Sequence, residues 1–321
     1  MRRRHALTLG GLLALATLTA LAPVTPLLRA STQPAQSAHH CFWKASSSTA
    51  VLYFFGSFHV LKPEMEPVIA PLIALSLPYF QQAHTVVFEP SYEGISQDEY
   101  RKMQDAYRKK LSTTMVNTDK TIPEILSAET LAVLKQTMAE MSLELEKLQM
   151  LKPWALAEAL IATQKEKLGW KKQYGLDESF VKKAKEAQKR IVGLETTQEQ
   201  LEELDAKANR LNAMSDDMQE RYLLKTLQSL KEVGNLYETI VKAMVACDTT
   251  VLEELFVGMD QDAQEVYYRV LQRRNQQWLE KLETFLQQEG AFFVVVGLGH
   301  LIGPGNVLHL LTERGYAVEQ F

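Results

Sequence analysis

Apolar positions along this chain bunch in two ways. Near both ends they form short continuous runs, while through the middle they recur at helical spacing among charged residues. Val51–Phe55, Thr85–Pro90 and "AFFVVVG" (Ala291 to Gly297) are continuous runs, the pattern of strands covered on both faces. Phe42–Ala45 precedes the first of them across a Ser/Thr turn and reads as its hairpin partner. Pro67–Tyr79 predicts a short helix broken by its prolines, so this end reads strand, helix, strand, a βαβ-type unit.

From about Gln97 to Glu289 the chain is rich in Glu, Lys, Gln, Leu and Ala, and predicts mainly helices. Arg190–Leu194 is the exception, a brief strand with a helix starting at Thr196 or Thr197. Pro153, Gly175 and Gly193 interrupt the period and exclude a coiled coil. Stretches such as "SFVKKAKEAQKR" are solvated helix faces. A helix from Gln264 to Gln288 stops at Gly290. After the apolar run, "NVLHLLTERGY" predicts an amphipathic helix and "AVEQF" a last strand. The expected class is α/β (α+β): a central sheet from segments 41–95 and 290–321, with a mainly helical region, 97–289, inserted between them.

The first thirty residues follow neither pattern. Three arginines precede a Leu/Ala/Thr run without an acid, the layout of an export signal peptide. The expected organisation is a signal over 1–30, a linker over 31–40 and a single domain over 41–321. Cleavage would leave a periplasmic or secreted protein with no membrane segment. A retained leader would anchor it through the uncharged run from His5 to Leu28. With 321 residues, 46% of them hydrophobic, the chain can bury a sizeable core. A formal net charge of -4 excludes the basic footprint of a nucleic-acid binder. Cys41 and Cys247 are an even count in an exported chain; pairing and two separate buried thiols both remain open.

Candidate chemistry sits where the apolar runs end. "YFFGSFHV" and "VVVGLGHL" repeat one arrangement, strand then Gly-x-x-His, placing His59 and His300 just past two strand ends. Glu89 ends a third run in "VVFEP". In α/β sheets the ligand crevice lies beyond the carboxyl ends of the strands. Two imidazoles and a carboxylate there form a divalent-metal set with positions open to water. Each Gly-x-x-His is weak alone; the pair carries the weight. His39 and His40 fall in the linker, His84 at the surface and His309 on the polar flank of its helix.

One further position resists a bland account. Tyr267, Leu271, Trp278, Leu282 and Phe285 mark a buried helical stripe, and Arg274 with Asn275 falls in its gap. An arginine buried there must meet a carboxylate or face a polar cleft. A brace to Glu89 or Glu195 and a direct role with substrate are both open.

These motifs, with "LKPWALAEAL", "YGLDESFVKKAKE", "VGLETTQEQL" and "RRNQQWLEKL", resemble the TraB/PrgY/GumN family, related to the Tiki proteases, over nearly everything after the leader. The resemblance places the family's paired Gly-x-x-His on Gly56 with His59 and on Gly297 with His300. Its strand-end glutamate falls on Glu89 and its Arg-Asn pair on Arg274 and Asn275. It implies a divalent metal (Mn, Co or Zn) held by His59, His300 and Glu89, with Glu89, Arg274 and Asn275 in catalysis. Gly56, Ser57, Gly297, Gly299 and Glu195 are then candidate substrate-binding positions. The expected function is an exported metal-dependent hydrolase, peptidase-like, acting on a peptide or small molecule. The alternative is a noncatalytic periplasmic protein that holds a peptide or tetrapyrrole in the same crevice.

Overall fold

The computed structural model describes residues 41–90, 97–257 and 261–321. The expected leader and linker, with His39 and His40, lie outside these residues. The strands are β1 (Phe42–Ser46), β2 (Ala50–Ser57), β3 (Thr85–Pro90), β4 (Arg190–Glu195), β5 (Gly290–Gly297) and β6 (Ala317–Gln320). The helices are α1 (Glu66–Gln82), α2 (Gln97–Met115), α3 (Ile122–Ile125), α4 (Ala128–Glu140), α5 (Pro153–Lys167), α6 (Leu176–Glu186), α7 (Thr197–Asn212) and α8 (Asp216–Ser229). After them come α9 (Val233–Ala246), α10 (Thr249–Val257), α11 (Gln261–Leu286) and α12 (Val307–Glu313). The described residues fall into two compact units: 97–168 with 201–234, and 41–90 with 169–200 and the described residues from 235 onward.

The second unit holds one mixed sheet in the order β4-β3-β5-β2-β1-β6. Five of its strands come from the two ends of the described chain and β4 from the middle, with helices inserted between. β2, β3, β4 and β5 run parallel, so their carboxyl ends share one edge. β1 and β6 close the opposite flank antiparallel. β2 extends beyond its apolar run because its ladder with β5 continues from Ala50 opposite Gly290 to Ser57 opposite Gly297.

Alternation along the strands covers both faces. Phe293 packs with Phe55, Phe80 of α1 and Phe180 of α6, while its neighbour Phe292 turns away to stack on Phe285 of α11. This burial is why β2 and β5 read as continuous hydrophobic runs. The prolines do not break α1, contrary to the expectation. Pro71 and Pro78 sit on its exposed side, where the carbonyls they leave unbonded meet water, while Ile69, Leu72 and Phe80 stay buried. Cys41 and Cys247 form a disulfide, tying the start of β1 to the turn after α9.

The first unit is helical. α5 is buried on most of its circumference and packs against α8. Glu158 of α5 is paired inside it, accepting from Tyr222 Oη at 2.6 Å and from Lys207 Nζ at 2.9 Å. Lys165, buried nearby, has its pKa pulled down to about 8 by desolvation.

Candidate functional site

Four parallel strands deliver their next residues to one edge. β2 ends at Ser57 and leads to His59; β5 ends at Gly297 and leads through a tight turn, Leu298–His300, to His300. β3 carries Glu89 and β4 carries Glu195 at the same level, with Pro90 opposite Glu195 in the ladder. α11 supplies Arg274, Asn275 and Trp278, which lie on one face by helical spacing. The sequence expectation that two distant imidazoles and a strand-end acid converge describes this arrangement.

Glu89 is the centre. Its Oε1 accepts from the Gly297 backbone N–H at 2.6 Å and stands 3.6 Å from His59 Nε2 and 3.9 Å from His300 Nε2. Its Oε2 accepts from Arg274 NH2 at 2.7 Å. Gly297 is required here: a Cβ would lie 2.9 Å from His59 Nε2 and 3.1 Å from Glu89 Oε1. At Gly56 a Cβ would fall 2.6 Å from Leu298 Cδ1, so that glycine lets β2 pass close under the His300 turn.

The network fixes each group's state. Asn275 Nδ2 donates to Gly305 O at 2.9 Å, which settles its amide orientation and leaves Oδ1 to accept from His300 Nδ1 at 2.6 Å. His300 therefore carries its proton on Nδ1, and its bare Nε2 accepts from Arg274 NH1 at 3.1 Å. Burial, helped by the Arg274 charge, lowers the His300 pKa to about 3. His59 behaves oppositely: burial opposes its charge, but the carboxylates of Asp177 and Glu89 prevail and lift its pKa to about 9. Burial alone would raise Glu89, yet Arg274, His59 and His300 hold it far below the carboxylate range. Glu195 is pushed up by burial, against the pull of Arg274.

Accessibility falls from the mouth inward. The His59 side chain is 24% exposed, Glu89 6% and Arg274 1%. Arg274 makes both of the braces left open by the sequence: its Nε and NH2 donate to Glu195 at 3.0 and 2.6 Å, besides the bond to Glu89. Its guanidinium also lies 4.8 Å over the Trp278 ring, which packs 4.2 Å from His300 and donates to Glu195 Oε2 at 3.3 Å. Ser57 is buried and accepts from Asp177 N at 3.1 Å, holding the first turn of α6. Gly299 is half-buried within the His300 turn.

Sequence reasoning passed over Asp177. Its Oδ1 stands 3.4 Å from His59 Nδ1 and accepts from Ser57 Oγ at 3.3 Å. The signal was there in "YGLDESF", quoted as a motif but given no role. Gly175 admits it: a Cβ at that position would collide with the His59 carbonyl.

A divalent metal can be tested against these donors. Both histidines present Nε2 toward Glu89 Oε1, and both turn Nδ1 to an oxygen, Asp177 for one and Asn275 for the other. That is the outer support a ligating imidazole needs, fixing its tautomer and aim. The separations of 3.6 and 3.9 Å are slightly wider than the about 3.4 Å between tetrahedral ligands with ordinary metal bonds. Accordingly, no group of three or more His, Cys, Asp or Glu among the described residues is closed to metal spacing. The aim suits a metal. Holding one would require His300 Nε2 to give up its bond from Arg274 NH1, His59 to lose its proton, and the three donors to draw in by a few tenths of an ångström.

Comparison with known proteins agrees with the residues. An uncharacterized protein of Escherichia coli (strain K12), YbaP, is 26% identical over 190 residues, covering 59% of this chain and 67% of that protein. YbaP of Shigella flexneri matches to the same extent. No solved structure matches. The model of the TraB/PrgY/gumN family matches residues 41–320, spanning every strand and both histidines of the cluster, and the chain belongs to that family.

Proposed function

We propose that this protein is an exported metal-dependent hydrolase, peptidase-like in its chemistry, working at the strand-end cluster of His59, Glu89 and His300. One observation carries the reading: two imidazoles, each anchored through Nδ1, aim their Nε2 atoms at one oxygen of a buried ionised carboxylate. The motif resemblance to Tiki proteases supports a peptide as substrate. The Cys41–Cys247 disulfide supports an oxidising compartment such as the periplasm.

In this reading His59, His300 and Glu89 hold the metal, of Mn, Co or Zn type. When bound, the metal lowers the pKa of a water to near 7 and so supplies a nucleophile at neutral pH. The protein's own groups do the rest. Arg274 keeps Glu89 ionised, so that Oε1, which also accepts from the Gly297 N–H, carries negative charge toward a cation. Asn275 holds the His300 tautomer and Asp177 orients His59. Arg274 and Asn275 therefore act through Glu89 and His300, being buried beneath them. His59, at the mouth, is the first of the cluster that a substrate meets.

The test is a peptide library incubated with tag-free protein and Mn²⁺, with and without chelator, and read by mass spectrometry for new termini. Chelator-sensitive cleavage that disappears in His59→Ala and His300→Ala, with far-UV spectra retained, is expected. Cleavage that survives in both variants would contradict the assignment. Retention of peptide without cleavage would favour a noncatalytic binder. One observation speaks for that second reading: Arg274 spends its hydrogen bonds on Glu89, Glu195 and His300, so it is not directed at a substrate carbonyl.

A further inference from the structure

α1 is a surface helix without a charged face. From Pro67 to Leu77 its one polar side chain is Ser76, which is buried, and no charge follows Glu66 through its last residue, Gln82. Pro67, Ala70, Pro71, Ala74 and Pro78 form its exposed stripe at helical spacing. Ile73 and Leu77 border that stripe half-buried. The outward side of a surface helix ordinarily carries its charges, and a helix apolar all round calls for cover on every side.

The surface beside this stripe is basic. α6 lies next to α1 on the same face of the sheet: Phe80 and Phe180 meet at 5.7 Å, and both pack on Phe293. The outer sides of the two helices therefore face the same way. Lys182 and Lys185 are exposed on α6, and Arg190 is exposed just beyond it. Lys189 donates to the carbonyls of Gln81 and Ala83, at the end of α1. Glu186 is the one acid between Ser179 and Arg190, and it stands 3.9 Å from Lys182. Among the described residues Lys183, Lys185 and Arg190 have no carboxylate partner. In a chain of net charge -4 this is a local excess of positive charge bordering an uncharged apolar stripe.

We propose that α1 and α6 together form a docking surface for an anionic lipid bilayer, with α1 lying flat in the headgroup layer. Among the described residues no helix is long and apolar enough to cross a membrane, so the contact is with its surface. The lysines attract acidic headgroups, and the α1 stripe enters the boundary with the acyl chains. Glu64 and Glu66 stand at the N-terminal end of α1, so its C-terminal half meets the anionic surface. The prolines argue against a second copy as the occupant. Pro71 and Pro78 withhold the helical bonds due to the carbonyls of Pro67 and Ala74, and the exposed stripe has no side-chain donor to replace them. Two such faces pressed together would bury those carbonyls unpaired, whereas water and headgroups supply donors.

The experiment is flotation of the full chain with vesicles of phosphatidylcholine alone and of phosphatidylcholine mixed with phosphatidylglycerol. Binding to the anionic vesicles, roughly tenfold tighter than to the neutral ones and weakened by salt, is expected. It should fall roughly tenfold in Ala74→Glu, in Ala70→Glu and in the double variant Lys182→Glu with Lys185→Glu, each checked for an unchanged fold by thermal unfolding. Two alanine positions are used so that one folding failure does not decide the matter. Every variant keeps the leader, so a difference between them reports on α1 and α6. Equal binding to both kinds of vesicle, or binding unaltered in all three variants, would overturn the proposal. So would a dimer of the lipid-free protein that Ala74→Glu dissociates, since the stripe would then belong to a second copy.

Discussion

At Arg274 four hydrogen bonds reach two carboxylates and an imidazole inside packed protein. Replacing Glu195 by alanine would leave that guanidinium with one carboxylate partner, and losing a partner from a buried ion network costs about 3–5 kcal/mol. Denaturant unfolding of Glu195→Ala should show a loss of that order. Asn275→Ala acts differently. His300 would lose the acceptor that holds its proton on Nδ1, and metal affinity should fall by about 10- to 100-fold with the fold retained. Calorimetric titration with Mn²⁺ measures it, and undiminished affinity would remove Asn275 from the site. The meeting of His59, Glu89 and His300 was legible in the sequence because the same motif ends two apolar runs and an acid ends a third, a repetition that neither histidine alone supplies. Asp177 was not legible: it lies on a charged helix start, and only the fold reveals that this turn meets the His59 backbone.

Strand and helix starts are held together by close approach. The first turn of α6 docks on the end of β2 through Leu176 N to Phe58 O at 3.1 Å and Asp177 N to Ser57 Oγ at 3.1 Å. Any side chain at Gly175 meets the His59 carbonyl, a backbone atom that cannot swing aside. Gly175→Ala should therefore destabilise by about 1–3 kcal/mol and displace His59 from Asp177, visible as a changed His59 imidazole resonance. Gly56→Ala meets only the end of the Leu298 side chain and should be milder. Glu195 shows why elements, more than residues, limit sequence reading. Its role follows from β4 pairing parallel to β3, a register that no local pattern encodes. The prolines of α1 teach the complement: a breaker is tolerated when its face of the helix is wet.

Over the whole molecule, two features set stability. The disulfide closes a sequence separation of 206 residues. Constraint of the unfolded chain on that scale contributes about 5 kcal/mol in the entropic picture. Reduction, or Cys247→Ala, should lower the unfolding midpoint strongly, and an unchanged midpoint in reductant would contradict the bond. Lys165 contributes in the opposite sense, since its folded pKa of about 8 lies below the ordinary lysine value of 10.5. Below pH 8 both states are protonated and the folded state bears the full cost. As pH rises from 8 to 10.5 the unfolded chain still binds the proton, so stability rises, by at most about 3 kcal/mol. The difference between wild type and Lys165→Met should shrink across that window; a constant difference would contradict the depressed pKa. The terminal origin of most strands was readable from the apolar runs, whereas the sheet order was not, because pairing between strands far apart in the chain leaves no local pattern.

The central claim, that His59, Glu89 and His300 hold one divalent metal, is tested most directly by equilibrium dialysis of tag-free protein against Mn²⁺, followed by elemental analysis. Near-stoichiometric metal in the wild type, lost in His59→Ala and in His300→Ala but kept in His84→Ala, is the expected result. Equal metal content in all four proteins, or none in any, would contradict it.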